Sequence, residues 1–167
     1  MLKLSAVILA AGQGTRMKSA LPKVLHRLAG RPLIYYSVRA ALDAGSSDVV
    51  VVVGHGGNEV RAYLADAFGD AVRTVDQPDQ RGTGHAALMA MPALAGVETA
   101  FVFYGDTPLI HSRDLRALAT ALGAQSDAPL ALLTCALADP TGYGRILRDA
   151  GGAVTAIREQ RDLRTEK

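Results

Sequence analysis

The chain has one cysteine, no tryptophan, one asparagine (Asn58), and an aromatic content of only 5% among its 167 residues. A single cysteine, Cys135, excludes an internal disulfide and suits a reducing compartment. The shortage of aromatics argues against a sandwich built on aromatic cross-strand pairs. No apolar run reaches the ~18 residues of a membrane span. Leu4 to Ala11 is short and opens into a glycine-bearing loop, so it is expected to be structure and not a signal segment. Charge of one sign is lacking too: Lys+Arg 18 against Asp+Glu 16 leaves +2. With no cluster of Lys or Arg, nucleic acid is not an expected partner, nor is a membrane. What remains is 49% hydrophobic residues and 17 glycines. That is enough for a single domain with a real core, and too apolar for disorder.

Leu4-Ser-Ala-Val-Ile-Leu-Ala10 and Asp48-Val-Val-Val-Val-Val53 are continuous apolar runs stopped near glycine, which reads as strands buried on both faces. Ala71–Val75, Thr99–Tyr104 and Pro129–Ala136 are further expected strands. Between them, helical spacing marks Leu33–Leu42, Asn58–Phe68, Thr83–Met91 and a helix through Leu122 with Ser112 as its expected N-cap. Cys135 is expected to be core, in mid-strand. Gly144–Arg148 and Ala153–Ile157 flank Asp149-Ala-Gly-Gly152 and predict a β-hairpin, followed by a charged tail. Repeated strand–helix alternation implies an α/β three-layer, Rossmann-like fold with a mostly parallel sheet. Ligands of such sheets bind beyond the carboxyl ends of the strands, so the residues after each strand carry the chemistry.

After the first strand comes Leu9-Ala-Ala-Gly-Gln-Gly-Thr-Arg-Met17. Ala10, Ala11 and Gly12 let a ligand approach the main chain, and Gly12 and Gly14 can aim backbone N–H groups at an anion. Arg16 adds a positive fork suited to phosphate, and Pro22 holds the backbone ahead of a second cation, Lys23. A dinucleotide fingerprint fails, because Met17 stands where its third glycine belongs. A P-loop fails, because no Gly-Lys pair exists. An ordinary βα turn and a solvated lysine remain the plain alternatives. After the third strand, Gln77 and Gln80 offer amides able to read a base edge, and Gly82-Thr-Gly84 opens a helix. A turn with a glycine N-cap is the plain alternative there. After the fourth, Asp106 lies between Gly105 and Pro108, placed to hold Mg²⁺ or simply to cap a turn. The four histidines have no zinc spacing, and no nucleophile elbow exists.

Together these segments resemble the sugar-1-phosphate nucleotidyltransferases. The first motif and Leu21-Pro-Lys-Val-Leu25 carry the likeness to the whole family. Gln80-x-Gly-Thr-Gly-His-Ala86, Tyr104-Gly-Asp106 and Asp139-Pro-Thr-Gly-Tyr-Gly-Arg-Ile146 narrow it. The branch they resemble is the N-terminal pyrophosphorylase domain of the bacterial bifunctional N-acetylglucosamine-1-phosphate uridyltransferases / glucosamine-1-phosphate acetyltransferases. The resemblance implies uridine contacts from Leu9, Ala10, Ala11 and Gly12. It implies phosphate contacts from Arg16 and Lys23, uracil reading by Gln77, and further nucleotide contacts from Gly82 and Thr83. Tyr104, Gly105 and Asp106 would hold ribose, sugar and Mg²⁺, with Asp106 the metal ligand. Gly144 and Glu159 would meet N-acetylglucosamine.

The implied reaction joins UTP and N-acetylglucosamine 1-phosphate into UDP-N-acetylglucosamine and pyrophosphate, by in-line attack on the α-phosphorus with Mg²⁺ assisting. Such chemistry needs positioning and cations and no side-chain nucleophile. A cytoplasmic location is expected with it, as for an enzyme supplying peptidoglycan precursors. The family pattern continues past residue 167 with asparagines on sugar and metal, an acetyltransferase β-helix and trimer contacts. Residues 1–167 are accordingly expected to be one incomplete nucleotidyltransferase domain without acetyl transfer, monomeric or weakly oligomeric. A non-catalytic nucleotide-binding remnant, a fragment completed by a second chain, and another NTP/sugar-1-phosphate pair are the competing readings.

Overall fold

The structure is a computed structural model that describes residues 4–12, 14, 17–124 and 130–163. The chain divides into two units, Met1–Ala131 and Leu132–Lys167. In the first, β1 (Leu4–Leu9), β4 (Asp48–Val53), β5 (Val72–Asp76) and β6 (Thr99–Tyr104) form one sheet in the order β5-β4-β1-β6. All its pairings are parallel, and Leu9 stands opposite both Val52 and Tyr104. The strands therefore end at a common level. A small antiparallel pair, β2 (Arg27–Leu28) and β3 (Arg31–Pro32), precedes α1 (Leu33–Asp43). The other helices are α2 (Gly57–Phe68), α3 (Thr83–Ala90) and α4 (Ser112–Gly123). Among the described residues no helix is long and apolar enough to cross a membrane.

The valine run of β4 shows why the sheet is sandwiched. Val49, Val51 and Val53 pack with Ile34 and Val38 of α1, Val60 and Leu64 of α2 and Leu115 of α4. Val50 and Val52 face the opposite way, against Ala86 and Ala90 of α3. Side chains alternate along a strand, so a run apolar at every position needs a partner on each face. All five valines are fully buried, at on the order of 1.5–3 kcal/mol each. The three-layer α/β fold indicated by the alternation is the one found. β1 connects through α1 to β4 on one side, and β6 lies on its other side. The order of strands thus reverses at β1, where open α/β sheets place their ligands.

Several expectations from sequence change. The segment 130–136 forms no strand, and Leu130 and Leu133 are exposed. Cys135 is exposed as well, outside the core that was expected for it. An aliphatic run becomes a strand only where a neighbouring edge takes up its hydrogen bonds. The N-cap of α4 is His111 and not Ser112; Asp114, three residues on, accepts the His111 N–H at 2.9 Å. The β2–β3 pair was not foreseen. Its two turn residues, Ala29 and Gly30, have φ of 47° and 84°, as a tight hairpin turn with two left-handed residues requires.

In the second unit, β7 (Arg145–Arg148) pairs antiparallel with β8 (Val154–Arg158), as the hairpin reading predicts. Asp149 Oδ1 closes the turn by accepting N–H bonds from Gly151 and Ala153. Arg145 donates to the Pro140 carbonyl at 2.8 Å, and the Gly142 N–H reaches Gln160 Oε1 at 2.8 Å. Asp139 accepts the Thr141 N–H, and the hydrogen bonds from Thr141 hold its carboxyl below the usual carboxylate range.

Two outcomes are expected. Ala29→Asn, which tolerates the left-handed region better than alanine, raises stability by about 0.5–1 kcal/mol in urea unfolding. Asp139 is more acidic folded than unfolded, so its bond to Thr141 is intact above the unfolded value of ~3.9 and is lost only as pH falls through the lower folded value. The Thr141 amide resonance should therefore titrate with a midpoint below that of a model aspartate; a midpoint at or above it would refute the bond.

Candidate active site

The main-chain ladder continues past each strand end. Ala10 N–H bonds to Val52 O at 2.8 Å, Gln77 N–H to Val53 O at 2.8 Å, and Gly105 N–H to Leu9 O at 2.9 Å. These bonds fix the residues that follow β1, β5 and β6 in the register of the sheet. Beyond them lies a cavity of about 700 Å³. Its floor is Leu9, Ala10, Ala11 and Gly12, with Gly14 beside them. Lys23 and Val24 enter from the loop ahead of β2. Gln77, Gln80, Gly82 and Thr83 come from the β5–α3 connection, and Tyr104 and Asp106 from the end of β6.

Small residues make this convergence possible. A Cβ on Gly105 would stand 2.6 Å from Ile34 Cδ1, whose side chain is fully buried. Gly105 therefore supports the site from behind and is not among the lining residues. Gly54, after β4, leaves space for Ala11, whose carbonyl oxygen would lie 2.9 Å from an added Cβ. That same carbonyl accepts the Gln80 Nε2–H at 2.7 Å, so the β5–α3 connection is tied to the first loop. Gly56, at φ 67°, lies under Pro22, and Gly14, at φ 61°, lies against the Lys23 side chain. Pairing of Gly54 with Ala11 and of Gly56 with Pro22, far earlier in the chain, has no sequence signature, so reading strand ends alone missed both.

Lys23 Nζ and Asp106 Oδ2 form an ion pair, with side chains 34% and 23% exposed. They are the charged groups among the described lining residues. Partial exposure limits such a pair to about 0–1 kcal/mol. Its chemical meaning is larger. An arriving phosphate competes with Asp106 for Lys23, while an arriving cation competes with Lys23 for Asp106. A phosphate and a cation arriving together exchange one ion pair for two.

Gln77 is almost fully buried, at 5% exposure. Its Nε2 lies 3.1 Å from the Gly82 carbonyl oxygen and 3.1 Å from His85 Nδ1. Ser37 Oγ, on α1, donates to the Tyr104 carbonyl at 3.1 Å and so steadies the end of β6. Arg16 lies outside the described residues. Gly144 and Glu159 belong to the second unit. Gly144 directly precedes β7 and Glu159 follows β8, and a Cβ on Gly144 would lie 3.3 Å from the Arg158 carbonyl oxygen. The hairpin thus brings those two positions to one end.

Among the described residues, no three His, Cys, Asp or Glu side chains gather to hold a metal ion. Asp106 is the only carboxylate among the described residues that line the cavity. One partly exposed carboxylate at the wall of an open cavity fits a Mg²⁺ ion that would take most of its oxygens from substrate and water. It does not fit a caged metal.

Known proteins share this chain's sequence and fold. The family model for the MobA-like NTP transferase domain matches residues 6–165. The bifunctional protein GlmU of Sorangium cellulosum is 58% identical over 168 residues, covering 98% of this chain and 36% of that protein. GlmU of Aromatoleum aromaticum is 50% identical, covering 98% of this chain and 35% of that protein. The chain thus spans about a third of the length of these curated relatives. Among solved structures, a nucleotidyl transferase from Methanothermobacter thermautotroptrophicus aligns with TM-score 0.63 and 32% identity, over 71% of this chain and 57% of that one. A UDP-glucose pyrophosphorylase complexed with UDP-glucose aligns with TM-score 0.56 and 26% identity, over 72% of this chain and 54% of that one. With the strand-end cavity, its small-residue floor and this match along nearly the whole chain, the protein belongs to the MobA-like NTP transferase domain family.

Proposed function

We propose that this domain transfers a uridylyl group from UTP to N-acetylglucosamine 1-phosphate, giving UDP-N-acetylglucosamine and pyrophosphate. The observation that carries the reading is the single cavity that gathers the Leu9–Gly12 floor, the Gln77 amide, Lys23 and Asp106 from separate strand ends. The extent of identity to the bifunctional relatives supports the choice of nucleotide and sugar.

The roles combine what the family resemblance implies with the chemistry of the groups. The main chain of Leu9 to Gly12 gives a flat surface for the nucleoside, with Gly82 and Thr83 at the start of α3 beside it. Gln77 meets the base. Lys23 and Arg16 neutralise the charge that develops as a sugar-phosphate oxygen attacks the α-phosphorus and the bond to pyrophosphate breaks. Asp106 would hold Mg²⁺, which when bound supplies further positive charge to the phosphates. Tyr104 positions ribose and sugar with Gly105 supporting it from behind, and the resemblance assigns contacts with N-acetylglucosamine to Gly144 and Glu159. No covalent intermediate on the protein is involved.

A second reading is favoured by one observation. Asp106 is the lone carboxylate among the described lining residues, so the domain could bind the nucleotide and leave completion of the site to further protein. That form would bind UTP in calorimetry without releasing pyrophosphate.

The assignment is tested by pyrophosphate release with UTP, GTP, CTP and dTTP. Preference for UTP with N-acetylglucosamine 1-phosphate is expected, whereas preference for GTP with mannose 1-phosphate would sink it. Lys23→Ala and Arg16→Ala should each lower turnover by about 10²–10³-fold with an unchanged unfolding transition. Near-normal rates in both would refute the phosphate roles. Asp106→Asn should abolish Mg²⁺-dependent turnover yet leave metal-free UTP binding equal or tighter, since it releases Lys23. Weaker metal-free binding would count against the competition between the two partners.

A further inference from the structure

The Gln77 amide has a determinate orientation. Its Nε2 position faces the Gly82 carbonyl oxygen, which can only accept a hydrogen bond. The atom there is therefore the NH₂ group and not the carbonyl oxygen. The same NH₂ faces His85 Nδ1. For that contact to be a hydrogen bond, Nδ1 must be the bare acceptor, with the ring proton on Nε2. Both amide hydrogens are then engaged. The only hydrogen-bonding capacity left on this cavity-lining side chain is the acceptor Oε1.

Each partner is held in place. Gly82 has φ 96°, a left-handed conformation that favours glycine, and caps α3. His85 sits in the first turn of α3, and the next residue, Ala86, is buried against the sheet. The Gln77 backbone is fixed by its bond to Val53. A glutamine amide free to rotate by half a turn offers a base either an N–H or a carbonyl, and so distinguishes little. One locked by two acceptors offers the carbonyl alone.

We propose that His85 is a positioning residue that locks the Gln77 amide, so that the cavity selects a nucleobase carrying a ring N–H donor over one carrying a ring-nitrogen acceptor. Uracil and cytosine are the clean pair for this, being alike in size and opposite at ring position 3. The proposal rests on the reading that Gln77 meets the base. His85 itself touches no substrate in this scheme. It acts through the amide.

The test is calorimetric binding of UTP and of CTP to the intact chain and to three variants. The wild type should favour UTP. His85→Ala, and His85→Phe, which keeps bulk at the start of α3, remove the acceptor and should narrow the UTP-to-CTP ratio by about tenfold, chiefly by weakening UTP. His85→Asn, whose Oδ1 accepts near the place of Nδ1, should restore the ratio. A residue that only packed α3 would weaken both nucleotides alike and would not be rescued by Asn. Retention of the wild-type ratio in His85→Ala and His85→Phe would overturn the proposal and leave the uridylyl reading standing. Equal affinity of the wild-type chain for UTP and CTP would overturn both.

Discussion

Everything at the carboxyl end of the sheet depends on β1 being bonded on both edges. Its register with β4 and β6 puts Leu9 opposite Val52 and Tyr104. The ladder then runs on through Ala10 and Gly105. A loop that leaves a strand so constrained starts from a fixed point and direction. The core enforces the constraint from both faces, since sliding β1 by one residue would exchange Ala6 and Ile8 for Val7 between two differently shaped packing surfaces. Rigidity of this kind suits a reaction in which positioning supplies much of the rate. The protein contributes a floor of main chain, and the chemistry comes from groups set around it.

The ion pair of Lys23 and Asp106 gives that rigid floor a switchable charge. Without ligand the two groups satisfy one another, and the cavity carries no net charge from its described lining. In the proposed reaction a nucleoside triphosphate arriving with its cation would separate them and give each a partner of higher charge. On that reading the pair would favour the metal–nucleotide complex over either component alone. It also spares the empty domain an unpaired cation beside glycine N–H groups. Gly14 and Gly56 take part in this indirectly, because a Cβ at either would push on Lys23 or on Pro22 next to it.

The sequence made the layers legible because they rest on periodicity. Val49 to Val53 admits one reading, a strand buried on both faces, and the helices flanking it follow from spacing. The residues after β1, β5 and β6 were legible for a related reason: glycine, amide and carboxylate side chains are out of place in a core. What escaped depended on contacts between distant segments. The described part of the expected strand Pro129–Ala136, residues 130–136, has the composition of a strand and forms none, because no described edge accepts its backbone. The exchange of His111 for Ser112 as N-cap shows the same limit locally, since either residue could stand there and the Asp114 bond decides. Gly56 under Pro22 is invisible until the loop before β2 is seen to fold back over the end of β4. Gly144 and Glu159 were legible only through the family resemblance; the hairpin brings them to one end within their own unit.

A floor made of main chain and alanine cannot choose among nucleotides, because it offers every ribonucleoside the same surface. Choice must lie in the few side chains that rise from the loops around it. This explains how the same strand-end frame serves relatives at 26–32% identity, since fold and specificity are separable when different atoms carry them. In the reading proposed for this chain the burden falls on Gln77, the buried amide at the cavity wall. Gln80, also on the wall, has one N–H committed to Ala11 and works as a strut. A side chain that must discriminate cannot be left to rotate, and an amide is poorly fixed by packing alone because its two ends are nearly the same shape. Hydrogen bonds are the available means of telling those ends apart, and in this cavity a carbonyl and an imidazole nitrogen, both on the short path from β5 into α3, serve that end.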